Sequence, residues 1–498
     1  MGHLLEKNLA ARAAGLAFAL VMALWLALAG GAQAKRVLVL GPHGHVSTRT
    51  DRYVPAAEPI SPLPVARPHH GRARGRVATS GPTVLGALQT LYQQGQISSA
   101  TYSADQSTWN QALSTESHLT GTPATELAAV IANVNQIAAS GQLIASRLPE
   151  VFLTVTRNTQ WWATGVVPSS GQDVEFSGSQ IVWEYYPGQG VELQVLGTFG
   201  KADGLYTGNE YPQMLSLVNE MLPLAATRNG ALTWEYLFQF ENGVPPWTSA
   251  MSQGTAIEAL TRASKASTAE GNATAAAHYL SVAHQALAIL QQAPPQGVAV
   301  AASHGTRFLL YSYNPNELVI NGFLQTLIGL WDYWHASGDT TARALFKAAS
   351  PEAQYELPSY DTGAWSLYEP GQEDTLSYHQ LVTGFLQQLC DRTGNPTFCG
   401  EASRFNSYLK TAPVLGLLTS TAHAGSSASL SFTLSKISNV TVSVLKGSQT
   451  VYSSTEQLPY GTDAFNLPAL GAGTYSVQLS ATDLAGNVGT TAGSLTVS

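Results

Sequence analysis

Tyrosine side chains gather between residues 307 and 379, at the ends of apolar, helix-like segments. The members of this group are Tyr311, Tyr313, Tyr360, Tyr368 and Tyr378. Tyr311, Tyr368 and Tyr378 stand close to Pro, Gly, Ser or Asp, at the kind of element end where functional residues tend to lie. A phenol can give or take a proton, so these residues are candidates for acid–base chemistry on a bound substrate. The alternative is that each is a core residue whose hydroxyl bonds to a neighbour.

Three similar joints indicate how the chain positions these tyrosines. Gly271-Asn272, Gly338-Asp339 and Gly394-Asn395 each separate one helix-like run from the next. Glycine suits the left-handed position that ends a helix, and Asn or Asp caps the helix that follows. Joints that recur about every 60 residues predict a series of antiparallel helix pairs.

The motifs around the tyrosines resemble a known family. INGFLQTLIGLWDYW, LPSYDTGAWSLYE and SYHQL, followed by a helix ending in FNSYLK, are similar in order and spacing to the C-terminal domain of the D-glucuronyl C5-epimerases. PPWTSAMSQGTAIEAL fits the same pattern, so the resemblance covers about residues 180–410. It implies an α/α toroid with the tyrosine segments at one mouth, whereas the joints alone also allow an open solenoid.

The resemblance implies a reaction and its residues. Epimerisation removes the proton at carbon 5 of a hexuronate, next to the carboxylate, and returns a proton to the opposite face. Tyr378, Tyr311 and Tyr368 are the implied catalytic residues. The family's glutamate falls on Leu310, and its arginine beyond the DTG tyrosine has no counterpart in residues 369–372.

Polar and aromatic residues near these motifs are the expected substrate-binding set. They are Arg307, Tyr313, Glu317, Asn321, His379, Trp247 and Gln253. Arg307 and Glu317 are the charged residues that could replace the lost pair, and His379 either acts as a base or orients Tyr378. No cofactor and no metal are predicted, because the histidine pairs at 43/45 and 69/70 lack carboxylate or cysteine partners.

Two other classes of function remain open. A uronan lyase begins with the same proton abstraction and then expels the 4-linked sugar. A noncatalytic glycan-binding protein is favoured by the missing glutamate. In each case the expected partner is an anionic or uronate-containing polysaccharide. The formal charge of −8 argues against a highly sulfated one, and the absence of a basic face outside Lys35–Arg76 argues against nucleic acid.

The N-terminus has the pattern of an export signal. Basic residues up to Arg12, an apolar stretch from Ala13 to Ala29 and an A-x-A site ending at Ala34 predict a signal peptide over residues 1–34. The protein is then secreted or held at the cell surface, and it contacts the membrane only if the signal stays uncleaved, as an anchor. Residues 35–83, rich in Pro, Arg and His, predict a disordered linker.

The remaining chain predicts a mainly α protein in two parts. Residues 84–412 form the α/α toroid, with strand-like VFLTVTR and a small β-hairpin insertion centred on YYPGQG. Residues 420–498 alternate like the strands of an immunoglobulin-like β-sandwich. Cys390 and Cys399 flank the last helix joint, and in an exported chain they are expected to form a disulfide, although both could also stay free.

Overall fold

A computed structural model describes residues 34–55 and 81–498. The predicted signal peptide up to residue 33 and residues 56–80 of the predicted linker lie outside these ranges. In the described ranges, no helix combines the length and apolar character needed to cross a membrane. Two compact units are present, and each is described by itself. The first runs to Glu317 and includes Gln325–Ser350, and the second comprises Leu318–Leu324 and Pro351–Ser498.

Helices make up most of the first unit, in agreement with a mainly α protein. They are α1 (Val84–Gln93), α2 (Ser99–His118), α3 (Thr122–Ala139), α4 (Leu148–Trp162), α5 (Val195–Thr207), α6 (Tyr211–Met221), α7 (Ala250–Ala269) and α8 (Ala273–Ala286). Two more, α9 (Ile320–Ser337) and α10 (Thr340–Glu356), have residues in both units. Four short 3₁₀ turns follow helices or precede them: Ala145–Arg147, Leu222–Leu224, Leu287–Gln291 and Leu357–Tyr360.

The strand expected at VFLTVTR is wrong, because these residues belong to α4. Leu148, Val151 and Val155 recur at three- and four-residue spacing and are all buried, which is the pattern of one helix face. Pro149 in the first turn favours the start of a helix. The β-branched residues of this segment therefore lie in a helix, because the buried residues recur at helical and not at strand spacing.

The helix joints are confirmed. Gly271, Gly338 and Gly394 have φ of 76°, 73° and 61°, the left-handed region that glycine enters without steric cost. The side chains that follow each accept a backbone N–H of the next helix, from Ala275, Ala342 and Thr397. Within the first unit α9 packs on α10 through Trp334 and Phe346, whose ring centroids are 6.1 Å apart.

A five-stranded sheet in the first unit replaces the predicted small insertion. Its order is β2 (Val46–Pro55), β1 (Ala34–Leu40), β3 (Asp173–Phe176), β4 (Trp183–Tyr186) and β5 (Gly190–Leu193). The hairpin at YYPGQG is confirmed as β4 and β5. Two small hairpins are β6 (Ala226–Arg228) with β7 (Ala231–Thr233) and β8 (Ala299–Ala302) with β9 (Gly305–Phe308).

The disordered linker is wrong for residues 35–55, which lie in the hairpin of β1 and β2. Buried Val37 and Leu40 give this hairpin an apolar contact. Lys35 and Arg49, part of a composition read from the sequence as a sign of disorder, are paired: Lys35 Nζ lies 2.7 Å from Asp173, and Arg49 Nε donates to Glu175 over 2.9 Å. Carboxylates more than 100 residues away therefore order this segment, and no local pattern reports them.

The second unit combines two helices with a β-sandwich. The helices α11 (Leu376–Thr393) and α12 (Pro396–Tyr408) follow β10 (Leu367–Glu369) and β11 (Gln372–Glu373), and the predicted Cys390–Cys399 disulfide joins the helices. The sandwich begins at Leu415, not at residue 420. Its strands are β12 (Leu415–Leu417), β13 (Thr421–Ala422), β14 (Ala428–Leu434), β15 (Ser438–Lys446), β16 (Gln449–Leu458), β17 (Gly461–Leu467), β18 (Gly473–Asp483) and β19 (Val488–Val497).

Two sheets, ordered β12-β14-β17 and β13-β19-β18-β15-β16, enclose one apolar core in the sandwich. Val442, Leu479 and Phe432 are fully or almost fully buried in that core. A C-terminal β-sandwich is thus confirmed. Its assignment to the immunoglobulin-like class stays a prediction.

Candidate active site

Tyr368 and Tyr378 meet in the second unit. Tyr368 lies on β10 and Tyr378 in the first turn of α11, and each side chain is 2% exposed. Their ring centroids are 5.2 Å apart with an interplanar angle of 70°, an edge-to-face contact. The hydroxyl of Thr375, the N-cap of α11, accepts the backbone N–H of Tyr378. Two of the three predicted catalytic tyrosines are therefore held side by side at a helix start.

The LPSYDTG motif builds the turn that leads into β10. Asp361 accepts a hydrogen bond from the N–H of Gly363 over 2.8 Å and one from the hydroxyl of Tyr408 over 2.9 Å. Thr362 Oγ1 accepts the N–H of Trp365 over 2.9 Å. Tyr360 donates its hydroxyl to the carbonyl of Leu318 over 2.5 Å. The motif thus fixes the backbone before Tyr368, and Tyr360 is a bonded core residue.

His379 is enclosed by the protein on all sides. Its ring is fully buried, stacks on Trp365 at 3.8 Å, and has Nε2 2.9 Å from the carbonyl of Phe405. A carbonyl only accepts, so Nε2 carries the hydrogen; Nδ1 accepts the backbone N–H of Ser366 over 3.3 Å and lies 2.7 Å from the hydroxyl oxygen of the same residue. Burial lowers the pKa of His379 to about 4. Both nitrogens of this neutral ring are used internally, which fits the orienting role and not that of a base on substrate.

Asp374 extends this network and was missed from the sequence. Its side chain is 1% exposed and hydrogen-bonds to the hydroxyl of Ser366, which also contacts His379. Burial raises the pKa of Asp374 to about 7, although the bond to Ser366 acts in the opposite direction. An acidic residue in the turn Gly-Gln-Glu-Asp ordinarily lies in water, so the sequence carried no signal for a buried Asp374–Ser366–His379 chain.

A second aromatic group lies in the first unit. Trp247 stacks on Tyr236 with centroids 4.2 Å apart and meets Tyr311 and Tyr313 edge-on at 5.6 and 5.3 Å. Tyr311 and Tyr313 are themselves stacked at 5.2 Å with an angle of 7°. Trp247 donates its Nε1–H to the carbonyl of Phe238 over 2.8 Å. The structure therefore brings together Trp247, Tyr311 and Tyr313 of the predicted site.

Charges near this aromatic group affect Tyr313. Burial raises the pKa of Tyr313, and the negative charges of Glu241 and Glu317 act in the same direction. Glu317 is nearly buried and accepts a hydrogen bond from Asn314 over 2.9 Å. A phenol in these surroundings keeps its proton, so Tyr313 is suited to donate and not to abstract.

The other predicted residues of the first unit have varied environments. Arg307 lies on β9 and is 2% exposed. Leu310, at the position of the family glutamate, is fully buried. Gln253 bonds to both backbone groups of Trp234. The Oε1 atom of Gln253 accepts the N–H of Trp234 over 3.3 Å, and its Nε2 donates to the carbonyl of Trp234 over 2.8 Å. These bonds fit a structural role for Gln253 better than substrate binding.

Asn321 is a predicted binding residue with unmet bonding capacity. It lies in the first turn of α9, in the part of that helix that belongs to the second unit, and is 1% exposed. Neither Nδ2 nor Oδ1 has a hydrogen-bond partner among the described residues. Buried amides are nearly always bonded, so an unpaired one suggests that a ligand or water completes it.

Comparison with known proteins confirms the family resemblance. Residues 228–407 match the family model described as the D-glucuronyl C5-epimerase C-terminus. A curated D-glucuronyl C5-epimerase of Caenorhabditis elegans is 33% identical over 138 residues, which are 25% of this chain and 21% of that protein. The matched stretch thus spans about a fifth of the relative's length.

Two solved structures show a weak similarity to this chain. A sugar epimerase from a ruminal bacterium aligns with a TM-score of 0.31 and 12% identity over 43% of this chain and 58% of that one. An endo-beta-1,4-glucanase from Acetobacter xylinum aligns with a TM-score of 0.32 and 12% identity over 47% and 75%.

Proposed function

We propose that this protein is a uronate C5-epimerase that acts on an uronate-containing polysaccharide. The observation that carries the proposal is the Tyr368–Tyr378 pair, two buried phenols in edge contact inside the region that matches the epimerase family. The proposal includes a closed α/α toroid, to which the three glycine joints lend support, and export by the N-terminal signal.

The proposed reaction needs a base, an acid and stabilisation of charge. The base takes the proton from carbon 5 and leaves the bonding electrons on the neighbouring carboxylate as an enolate. An acid on the other face then protonates carbon 5, so no redox partner is consumed. Tyr378, as the base, requires a nearby cation or donor, since the unperturbed pKa of a phenol is near 10. Donors such as the Asn321 amide are suited to bind the carboxylate.

Exchange with solvent tests the proposal directly. Unsulfated glucuronate polymers are incubated with the protein in deuterated water, and carbon 5 is followed by NMR. We expect deuterium at carbon 5 with the chain intact. Ultraviolet absorbance of an unsaturated uronate would instead identify a lyase. Measurable binding of the polymers without exchange would reject catalysis.

A noncatalytic glycan-binding function is the second candidate. The observation in its favour is Leu310, a fully buried apolar side chain where the family has its glutamate. Binding without exchange, unaffected by changes at Tyr378, is the result that this alternative predicts.

The substitution Tyr378→Phe sharpens the test. It keeps the ring against Tyr368 but deletes the hydroxyl, so exchange should fall by at least ~100-fold, the usual size of a general acid–base contribution. Tyr360→Phe is the matched control, because its hydroxyl bonds to the carbonyl of Leu318 and it should lower stability slightly with exchange per folded molecule unchanged. Equal residual exchange in both variants would make Tyr378 a core residue.

A further inference from the structure

Lys436 is a buried cation between the sandwich and the helices of the second unit. It lies between β14 and β15 and is 1% exposed. Its Nζ is 2.7 Å from Asp483 of β18, and it donates to the carbonyls of Tyr408 over 2.8 Å and of Thr411. A buried ammonium is tolerated only when such partners surround it. The ion pair and hydrogen bonds of Lys436 therefore connect the sandwich to the end of α12.

The Lys436 ammonium also contacts Trp365, which stacks on the residue next to Tyr378 in the chain. Nζ lies 5.3 Å from the centroid of the Trp365 ring, within cation–π range. Trp365 stacks on His379 at 3.8 Å and donates its Nε1–H to the carbonyl of Asp374 over 2.9 Å. His379 directly follows Tyr378 in α11. The contacts thus lead from the sandwich through Lys436 and Trp365 to His379, the neighbour of Tyr378 in α11.

A second attachment reaches the strands beside Tyr368. Glu373 of β11 accepts the backbone N–H of Ile437 over 2.8 Å and that of Tyr460 over 2.7 Å, both from the sandwich. β11 pairs with β10, which carries Tyr368. Asn487 adds a bond to the carbonyl of Leu409 over 3.0 Å. The sandwich therefore contacts β11, the partner of the strand that carries Tyr368, and the residue after α12.

We propose that Lys436 is a positioning residue and that the sandwich fixes the Tyr368–Tyr378 geometry. The sandwich is then part of the epimerase unit and not a detachable glycan-binding module. This inference rests on the proposed function for its kinetic consequence. Its structural consequence, the placement of the two rings, can be measured whether or not the protein is an epimerase.

The test uses the full chain with Lys436→Met combined with Asp483→Asn. Removing both charges leaves neither one buried alone. We expect the exchange rate at saturating polymer to fall at least about 10-fold with KM little changed, because small misplacements of catalytic groups are costly. Lys446→Met is the matched control: its Nζ also lies 5.3 Å from a sandwich aromatic ring, Tyr475, but at an exposed position.

NMR of the ring signals supplies the readout that does not depend on catalysis. Tyr368 and Tyr378 signals, assigned with single Phe variants, should lose their mutual ring-current shifts in the double variant and keep them in the control. The pKa of His379 should rise slightly from about 4, because the double variant removes both the lowering effect of the Lys436 charge and the smaller, raising effect of the Asp483 charge.

A folded double variant with parental tyrosine signals and parental rate would overturn the proposal. Should the double variant not fold, Lys436→Arg serves instead: it keeps the charge but alters its position, so the low His379 pKa should persist while the tyrosine signals shift. Unchanged signals there also overturn it. Absent exchange in the parent rejects the proposed epimerase alone, because the ring signals still decide the positioning role.

Discussion

The sheet of β1 to β5 and the C-terminal sandwich differ in which side chains their buried faces carry. In the sandwich, alternate residues such as Val442 and Leu479 point into an apolar core while Thr441 and Ser480 point out. In β3, β4 and β5 of the sheet, both faces are buried. One face carries Val174, Trp183 and other apolar groups, and the other carries charged residues in register.

The helix α5 covers part of this charged face. Asp173, Glu184 and Glu192 lie opposite one another on β3, β4 and β5, and each is at most 1% exposed. Lys201 of α5 reaches this layer and lies 2.8 Å from Asp51 and 2.7 Å from Glu175. Alternation in sequence therefore identifies which face is polar, but a polar face is not always exposed to solvent.

The largest expected effect is that of Lys201→Met in the charged layer. Arg49, whose side chain is 43% exposed, would remain as the nearest cation for both Asp51 and Glu175. Removing one partner of a buried ion pair costs roughly 3–5 kcal/mol, and urea unfolding of the variant should show a loss of that size. Lys265→Met on the exposed side of α7 is the control. A loss below about 1 kcal/mol would mean that the layer is hydrated and the comparison fails.

A smaller loss is expected from Val442→Ala in the sandwich. Two buried methyl groups disappear from a close-packed core, so unfolding should become easier by about 2 kcal/mol. The loss should be the same at pH 5 and pH 8, because the cluster that Val442 joins is apolar. Thr441→Ala, on the outer face of the same strand, should change stability by less than about 0.5 kcal/mol. A strong pH dependence for Val442→Ala would contradict the contrast between the two regions.

The third effect has the opposite sign: Glu184→Gln should stabilise the protein at high pH. Burial raises the pKa of Glu184 to about 8, the nearby carboxylate of Asp173 adds to this, and Lys35 opposes it. As pH rises from about 4.5 to 8, the unfolded chain loses this proton while the folded chain keeps it, so stability falls. The glutamine variant escapes that loss.

Thermal unfolding at pH 4 and pH 9 measures this difference. The variant should equal the parent in stability at pH 4 and exceed it at pH 9. Glu456→Gln, an exposed site on β16, should leave the pH profile unchanged. A variant less stable than the parent at pH 9 would show that Glu184 is ionised and paired.

Much of the candidate site could be predicted because its signals are local. The tyrosine at a helix start, the DTG turn and the joints at Gly271, Gly338 and Gly394 each depend on a few neighbouring residues. The roles of Gln253 and His379 could not be predicted, since they depend on the backbone of Trp234 and the carbonyl of Phe405, both distant in the chain.

The sequence by itself determined the helix boundaries at the joints, the Cys390–Cys399 pair, the sandwich and the family resemblance of residues 228–407, because short-range periodicity and motif order carry that information. Only the tertiary structure decided that residues 34–55 are strands, that a charged sheet face is buried, and that Lys436 lies over Trp365. Those outcomes depend on charges that find partners far along the chain. The energy of a buried charge is set by what surrounds it in space and not by its neighbours in sequence.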